Sequence, residues 1–315
     1  MSKPPLILIV GPTAVGKTEL AIQLAEKFAQ RGEIISADSR LFYRGMDIGT
    51  AKPSLAERAR VPHYLIDIVN PDETLSLAAF QQKAKDIIAD IHARGKLPFL
   101  VGGTGQYVRA VTQGWTPPEV KADERLRDEL ARIASRDERG VAWLHARLQL
   151  LDPGAAAKID ARNVRRTIRA LEVIITTGRK FSEQRGQGEL PYQLVTIGLA
   201  RSRPELYERV DQRIEAMFAN GFVDEVKSLL EKGYSPTLPS MSAIGYRECV
   251  RVIKGELTIE QAKVEMRRLT RIFVRRQANW FKESDPNIMW FRVQAGIQNE
   301  IREYIQQNIA AEDAG

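Results

Sequence analysis

Cysteine is almost missing from this chain: Cys249 is the single one in 315 residues. No internal disulfide can form, and a reducing, cytosolic setting is expected. Histidine is nearly as scarce. His63, His92 and His145 stand far apart, with no cysteine cluster to join them, so no structural zinc site is expected. Long apolar runs are absent too; none approaches the ~18–20 residues of a membrane span. The N-terminus enters an apolar run almost at once and shows no signal-peptide pattern, which again predicts a cytoplasmic protein. There is no internal repeat and no low-complexity stretch. Acidic residues are outnumbered, 40 against 47 Lys and Arg, for a net charge of +7. That excess points mildly to a polyanionic partner.

What is present is an ordinary globular composition, 43% hydrophobic and 28% charged, in a chain long enough for one large domain or two small ones. Its most specific feature is Gly11-Pro12-Thr13-Ala14-Val15-Gly16-Lys17-Thr18. The apolar run Leu6-Ile7-Leu8-Ile9-Val10 before it reads as a strand buried on both faces. After it, Leu20, Leu24 and Phe28 recur at helical spacing, predicting a helix over 17–31. Glycines in such a loop let backbone N–H groups of residues 13–18 turn onto a phosphate, and the helix N-terminus adds positive potential. Lys17 supplies a cation for the terminal phosphate and Thr18 a hydroxyl for Mg²⁺. A di- or triphosphate is therefore the expected ligand. A strand ending in an acidic residue, which a nucleoside triphosphatase uses to help hold its metal, is hard to find. Leu97-Pro98-Phe99-Leu100-Val101 ends in Gly102-Gly103-Thr104, and Tyr64-Leu65-Ile66-Asp67 is a weaker candidate. The gap leaves room for a phosphate that is a leaving group rather than a fuel.

Strand and helix alternate over the first ~110 residues: strands at 6–10, 33–37, 64–69 and 97–101, and a helix over 76–94 opened by Ser76. The predicted fold is a P-loop, doubly wound parallel α/β sheet with ligands at the carboxyl ends of its strands. Thr13, Asp38 and Thr104 all follow such ends. Residues 115–190, opened by Pro117-Pro118 and closed by Gly186-Gln187-Gly188, read as a helical insertion between core segments 1–114 and 191–315. A further core strand is expected over 192–199, and helices dominate from there to a polar tail. Two helices are crowded with arginine. Arg162, Arg165, Arg166 and Arg169 share one face opposite Val164, Ile168 and Leu171. Arg267, Arg268, Arg271, Arg275 and Arg276 crowd the other, whose apolar side is read as Leu269, Ile272, Phe273 and Trp280. Few acids interleave either cluster. Each could be a solvated face; together, in a phosphate-binding protein, they favour a nucleic-acid backbone.

After Asp38 the chain continues Ser39-Arg40-Leu41-Phe42-Tyr43-Arg44-Gly45-Met46-Asp47-Ile48-Gly49-Thr50-Ala51-Lys52-Pro53. With the loop at 11–18, this block closely resembles the tRNA dimethylallyltransferases, also called tRNA isopentenyltransferases. The resemblance continues through Gly102 to Tyr107, Arg169 to Val173, Ile244 to Glu248, and Thr270 to Phe281, and so spans residues 6–285. Without the zinc-finger extension of eukaryotic members, it implies a bacterial or organellar form.

That resemblance implies transfer of a dimethylallyl group from its diphosphate to N6 of the adenosine just 3′ of the anticodon. The implied partners are dimethylallyl diphosphate with Mg²⁺ and a tRNA anticodon stem-loop, handled by a cytoplasmic monomer. By resemblance Asp38 is the general base for the amine; on the residues alone it caps a turn or holds Mg²⁺ through water, the metal role being the favoured one. Thr13 carries over beside the reacting end of the diphosphate, and Arg213 as a cation on the same group, though Arg213 by itself reads as a surface arginine paired one turn away. Asp38, Ser39, Arg40, Leu41 and Thr104 carry over as contacts to a flipped nucleotide. Arg165, Arg166, Arg169, Arg271 and Arg275 would grip phosphates. Position 41 is Leu where many members have Gln, and 106 is Gln where Leu is commoner. A small-molecule kinase and a nucleic-acid-dependent ATPase share the loop and sheet. The 38–53 block argues against the first, and the missing acidic strand against the second.

Overall fold

A computed structural model of the chain describes residues 3–28, 32–116, 120, 122–184 and 186–310. The expected Pro117-Pro118 opening, the last residues of the first helix and the extreme C-terminal tail lie outside them. Two compact units are present: Met1–Val111 with Leu190–Gly315, and Thr112–Glu189.

In the larger unit, β1 (Pro5–Val10) leads to α1 (Lys17–Lys27), then β2 (Gly32–Ser36), α2 (Leu55–Arg60), β3 (His63–Tyr64), α3 (Leu77–Ala93), β4 (Leu97–Val101) and α4 (Gly105–Thr112). The smaller unit pairs β5 (Trp115–Thr116) with β6 (Gly186–Gln187). It holds α5 (Glu124–Ser135), α6 (Glu138–Leu151), α7 (Pro153–Ala156) and α8 (Val164–Thr177) around its own core of Leu130, Leu144, Leu148, Ile168 and Leu171. The chain then returns through β7 (Gln193–Ala200), α9 (Arg203–Ala219), α10 (Phe222–Glu231), α11 (Tyr246–Ile253), α12 (Ile259–Gln277), β8 (Met289–Arg292) and α13 (Ile297–Ala310).

The sheet order is β3-β2-β4-β1-β7-β8, parallel throughout. Alternation along β1 sorts its side chains between two cores. Ile7 and Ile9 pack with Leu20, Ala21 and Leu24 of α1; Leu6, Leu8 and Val10 pack with Phe80 of α3 and Val108 and Val111 of α4. Adjacent strands β1 and β4 are thus followed by helices on opposite faces. Their loops part above the strand ends and open a crevice there.

Two expectations are corrected. The strand read over 64–69 stops after Tyr64, because Leu65 (φ 60°) and Asp67 (φ 57°) take left-handed backbone that cannot continue a ladder. Asp67 instead receives Lys52 and Arg58. At the other edge β8, Met289–Arg292, is a strand where helices were expected; at four residues it is too short to show a period of its own.

Candidate active site

The loop after β1 is shaped by its backbone. Gly16 (φ 107°) caps α1 without a side chain, and Ala14 holds φ 63°, a conformation that costs a non-glycine residue about 1 kcal/mol or more. The first N–H groups of α1 have no partner within the helix and make an anion-binding end. Lys17 folds back over the loop, its Nζ donating to the carbonyls of Gly11 (3.0 Å) and Pro12 (2.8 Å). Burial pulls its pKa down to about 8; the charge of Asp38 opposes that shift and Arg213 adds to it. The expected run of donors over 13–18 is narrower than the sequence implied. The Thr13 N–H is taken by Gln277 Oε1 at 2.8 Å, and the Val15 N–H by the Pro12 carbonyl at 3.4 Å.

Three arginines meet three consecutive loop residues. Arg213 Nη1 donates to Thr13 Oγ1 (3.3 Å), Arg209 Nε to the Ala14 carbonyl (2.7 Å) and Arg201 Nε to the Val15 carbonyl (3.2 Å). The guanidinium of Arg213 is destabilised first by burial and then by Arg209, with Asp38 partly offsetting both. Such crowding of positive charge on one short loop is favourable only where an anion is to be met.

Asp38 follows β2. Its Oδ1 accepts the Arg40 N–H at 3.0 Å, and its own N–H donates to Ser36 Oγ at 3.2 Å, so the side chain closes a turn. It also lines a cavity with Lys17, Thr18, Leu41, His63 and Gly102. Of the nucleotide-facing candidates, Leu41 is buried in that wall, and Ser39 and Thr104 are half-buried. Arg40 leaves the cavity and reaches the carbonyls of Pro239 and Ser240 and the hydroxyl of Ser242.

The segment after Asp38 is pinned by Glu225, which carried no motif signal, together with Tyr246 and Lys52 from the resembling blocks. Glu225 on α10 accepts N–H groups of Asp47 (2.9 Å), Ile48 (2.6 Å) and Gly49 (3.3 Å), and the Tyr246 hydroxyl (2.7 Å). Lys52 donates to the Tyr43 carbonyl and pairs with Asp47 and Asp67.

The arginine clusters divide by partner. On α12, Arg271 pairs with Asp211 at 2.7 Å and lies over the Tyr207 ring, and Arg267 pairs with Asp211 and Glu215. The acids that seemed lacking come from α9, not from α12 itself. Arg275 is exposed, and with Arg267, Arg268 and Arg271 it lines a groove along the helix. The buried side of α12 is Ala262, Met266, Val274 and Gln277; Phe273 and Trp280, expected inside, are exposed. Within the smaller unit, Arg165 and Arg166 are exposed at the start of α8, while Arg169 and Arg127 fasten the fully buried Glu172 carboxylate.

Among the described residues no group of three or more His, Cys, Asp or Glu could hold a metal by itself, and no helix is long and apolar enough to cross a membrane.

A family model described as IPP transferase matches residues 41–284. A tRNA dimethylallyltransferase of Roseiflexus sp. (strain RS-1) is 53% identical over 98% of this chain and 99% of its own, and that of Roseiflexus castenholzii is 55% identical over 90% and 92%. The full-length tRNA isopentenylpyrophosphate transferase of Bacillus halodurans superposes with a TM-score of 0.73 at 42% identity, covering 99% of each chain. A eukaryotic dimethylallyltransferase captured acting on tRNA reaches 0.75 at 28% identity, over 98% of this chain and 79% of that one. With the family's model matched over most of its length and such relatives end to end, the chain belongs to the IPP transferase family.

Proposed function

We propose that the chain transfers a dimethylallyl group from dimethylallyl diphosphate to N6 of the adenosine immediately 3′ of a tRNA anticodon, as a cytoplasmic monomer. The observation that carries the reading is the cavity at the strand ends, where the Asp38 carboxylate lines the same wall as Lys17 and Thr18 of the phosphate loop. A proton acceptor and a diphosphate cradle are then neighbours, as a displacement at an allylic carbon requires.

In this reading the C1–O bond to the diphosphate breaks and its electron pair leaves with the diphosphate, while a bond forms from the adenine N6 to C1. Asp38 accepts the proton the amine sheds. The free N–H groups at the start of α1, Lys17 and Arg213 meet charge growing on the leaving group. The Thr13 hydroxyl, held by Arg213, sits at the reacting end. Thr18 fits a divalent cation of the Mg²⁺ class: one hydroxyl oxygen, on the same cavity as the Asp38 carboxylate, suits a metal that takes its remaining ligands from phosphate and water. When bound, that ion would neutralise diphosphate charge. The adenosine would leave its stack to reach Asp38, with Ser39, Leu41 and Thr104 lining its entry. Arg165 and Arg166 in the smaller unit, and Arg275 with its neighbours on α12, would bind RNA phosphates.

Incubating the protein with tRNA, dimethylallyl diphosphate and Mg²⁺, then weighing the tRNA nucleosides, tests this directly. A new dimethylallyl-adenosine is the expected product. ADP release from ATP, with unchanged tRNA, would favour a kinase or ATPase instead.

A further inference from the structure

Gln277 ends α12, is 5% exposed, and is the only polar member of that helix's buried side. Its amide joins two strand-end loops. Oε1 accepts the Thr13 N–H at 2.8 Å, and Nε2 donates to the Gly103 carbonyl at 3.1 Å. The fit is close: a Cβ on Gly103 would stand 2.4 Å from Nε2, so the approach depends on glycine there.

We propose that Gln277 is a positioning residue for the transfer reaction, fixing Thr13 against the reacting end of the diphosphate. This rests on the function proposed above. Thr13 is held at two points, its N–H by Gln277 and its hydroxyl by Arg213. The peptide and the side chain are thereby locked as one unit. A primary amide supplies an acceptor and a donor from a single planar group, whereas a carboxylate accepts twice, an amine only donates, and an aliphatic chain does neither. An unpaired buried N–H at Thr13 would seek another acceptor and rotate the peptide, carrying the hydroxyl with it. The same amide holds the Gly103 carbonyl next to Thr104, so one side chain sets the spacing of the loops on both sides of the crevice.

Gln277→Met keeps the volume and removes both hydrogen bonds. Its kcat should fall about ten- to a hundredfold, the range for a misplacement near an ångström, while tRNA affinity stays within about twofold. Gly103→Ala should reproduce that pattern by pushing the amide aside, and it serves equally if Gln277→Met does not fold. In a Thr13→Ala background, Gln277→Met should cost little more, because both changes act through one group. Additive losses in that cycle would overturn the proposal, as would kcat within twofold of wild type in the folded variants. So would a parallel loss of tRNA affinity, which would make Gln277 an RNA contact. Wild-type protein is assayed first: if it forms no dimethylallyl-adenosine, the function falls, whereas active wild type with indifferent variants sinks this inference alone.

Discussion

The hydroxyl of Thr13 and the guanidinium of Arg213 meet at 3.3 Å although 200 positions separate them in the chain. Arg213 should therefore act on turnover. Arg213→Ala is expected to lower kcat by about 10²-fold or more, with little change in tRNA affinity, because its partner is charge developing on the leaving group. Saturating rates beside tRNA binding isotherms check this.

Asp38→Ala should reduce transfer by about 10²–10⁴, the usual contribution of a general base. Phosphate contacts elsewhere carry affinity, so tRNA binding should stay within a few-fold. A variant retaining most of its rate would remove Asp38 from the mechanism.

Lys17 supplies a pH signature. Its pKa in the free protein is lowered to about 8, so its charge is present below that pH and lost above it. The kcat/KM for dimethylallyl diphosphate should then decline above pH 8, since that ratio reports the free enzyme. Lys17→Arg should move the decline to higher pH even if it lowers the rate. An unchanged profile in that variant would assign the decline to another group.

The RNA grip is best tested without Arg169. Replacing that residue would expose the buried Glu172 carboxylate to the loss of a 2.6 Å partner, confusing stability with binding. Neutralising Arg165 and Arg166 together should weaken tRNA binding and flatten the slope of log affinity against log salt by about 1.5 to 2, near one counterion per lost contact. Turnover at saturating tRNA should survive. Normal binding at every salt concentration would show that this helix end does not touch the RNA.

Stability should depend on Glu33. Hydrogen bonds from Arg94, working against burial and supported by Lys96 and Tyr64, hold its pKa near 2. The folded value lies below the unfolded one, so the stabilisation is complete above pH ~4.3 and is lost as pH falls toward 2. Glu33→Gln should cost about 2 kcal/mol at neutral pH and less in acid. Denaturant midpoints across pH 2–7 would show the two proteins converging.

Local chemistry made much of this legible. The loop at 11–18 followed a five-residue apolar run, and both the strand over 97–101 and the helix cap at Ser76 are where pattern and cap preference put them. Resemblance added the meaning of Asp38, which composition alone leaves open. The residues that escaped are those whose role is set by a distant partner. Arg201 and Arg209 look like ordinary helix or linker positions, and Gln277, though inside a resembling block, has no evident role until the fold brings them to the loop. The ion pairs of α12 were hidden for the same reason, since Asp211 and Glu215 belong to another helix. Periodicity also misplaced the face of α12, because a buried glutamine does not register as apolar.

The register of β1 against β7, from Pro5 opposite Gln193 to Val10 opposite Gly198, has a consequence for synthesis. The central strand leaves the ribosome first, yet one of its two neighbours emerges only after the whole 112–189 unit has been made. At ~5–20 residues per second, that strand waits on the order of ten seconds with one edge open. The intervening unit, contiguous in sequence and equipped with its own core, can close during that wait. Translation pauses between 112 and 189 would prolong the exposure of Leu6 to Val10, an uncharged run rich in branched apolar residues of the kind that pairs with other chains. The phosphate loop, whose arginines at 201, 209 and 213 come later still and whose Gln277 follows them, is completed only in the last third of synthesis.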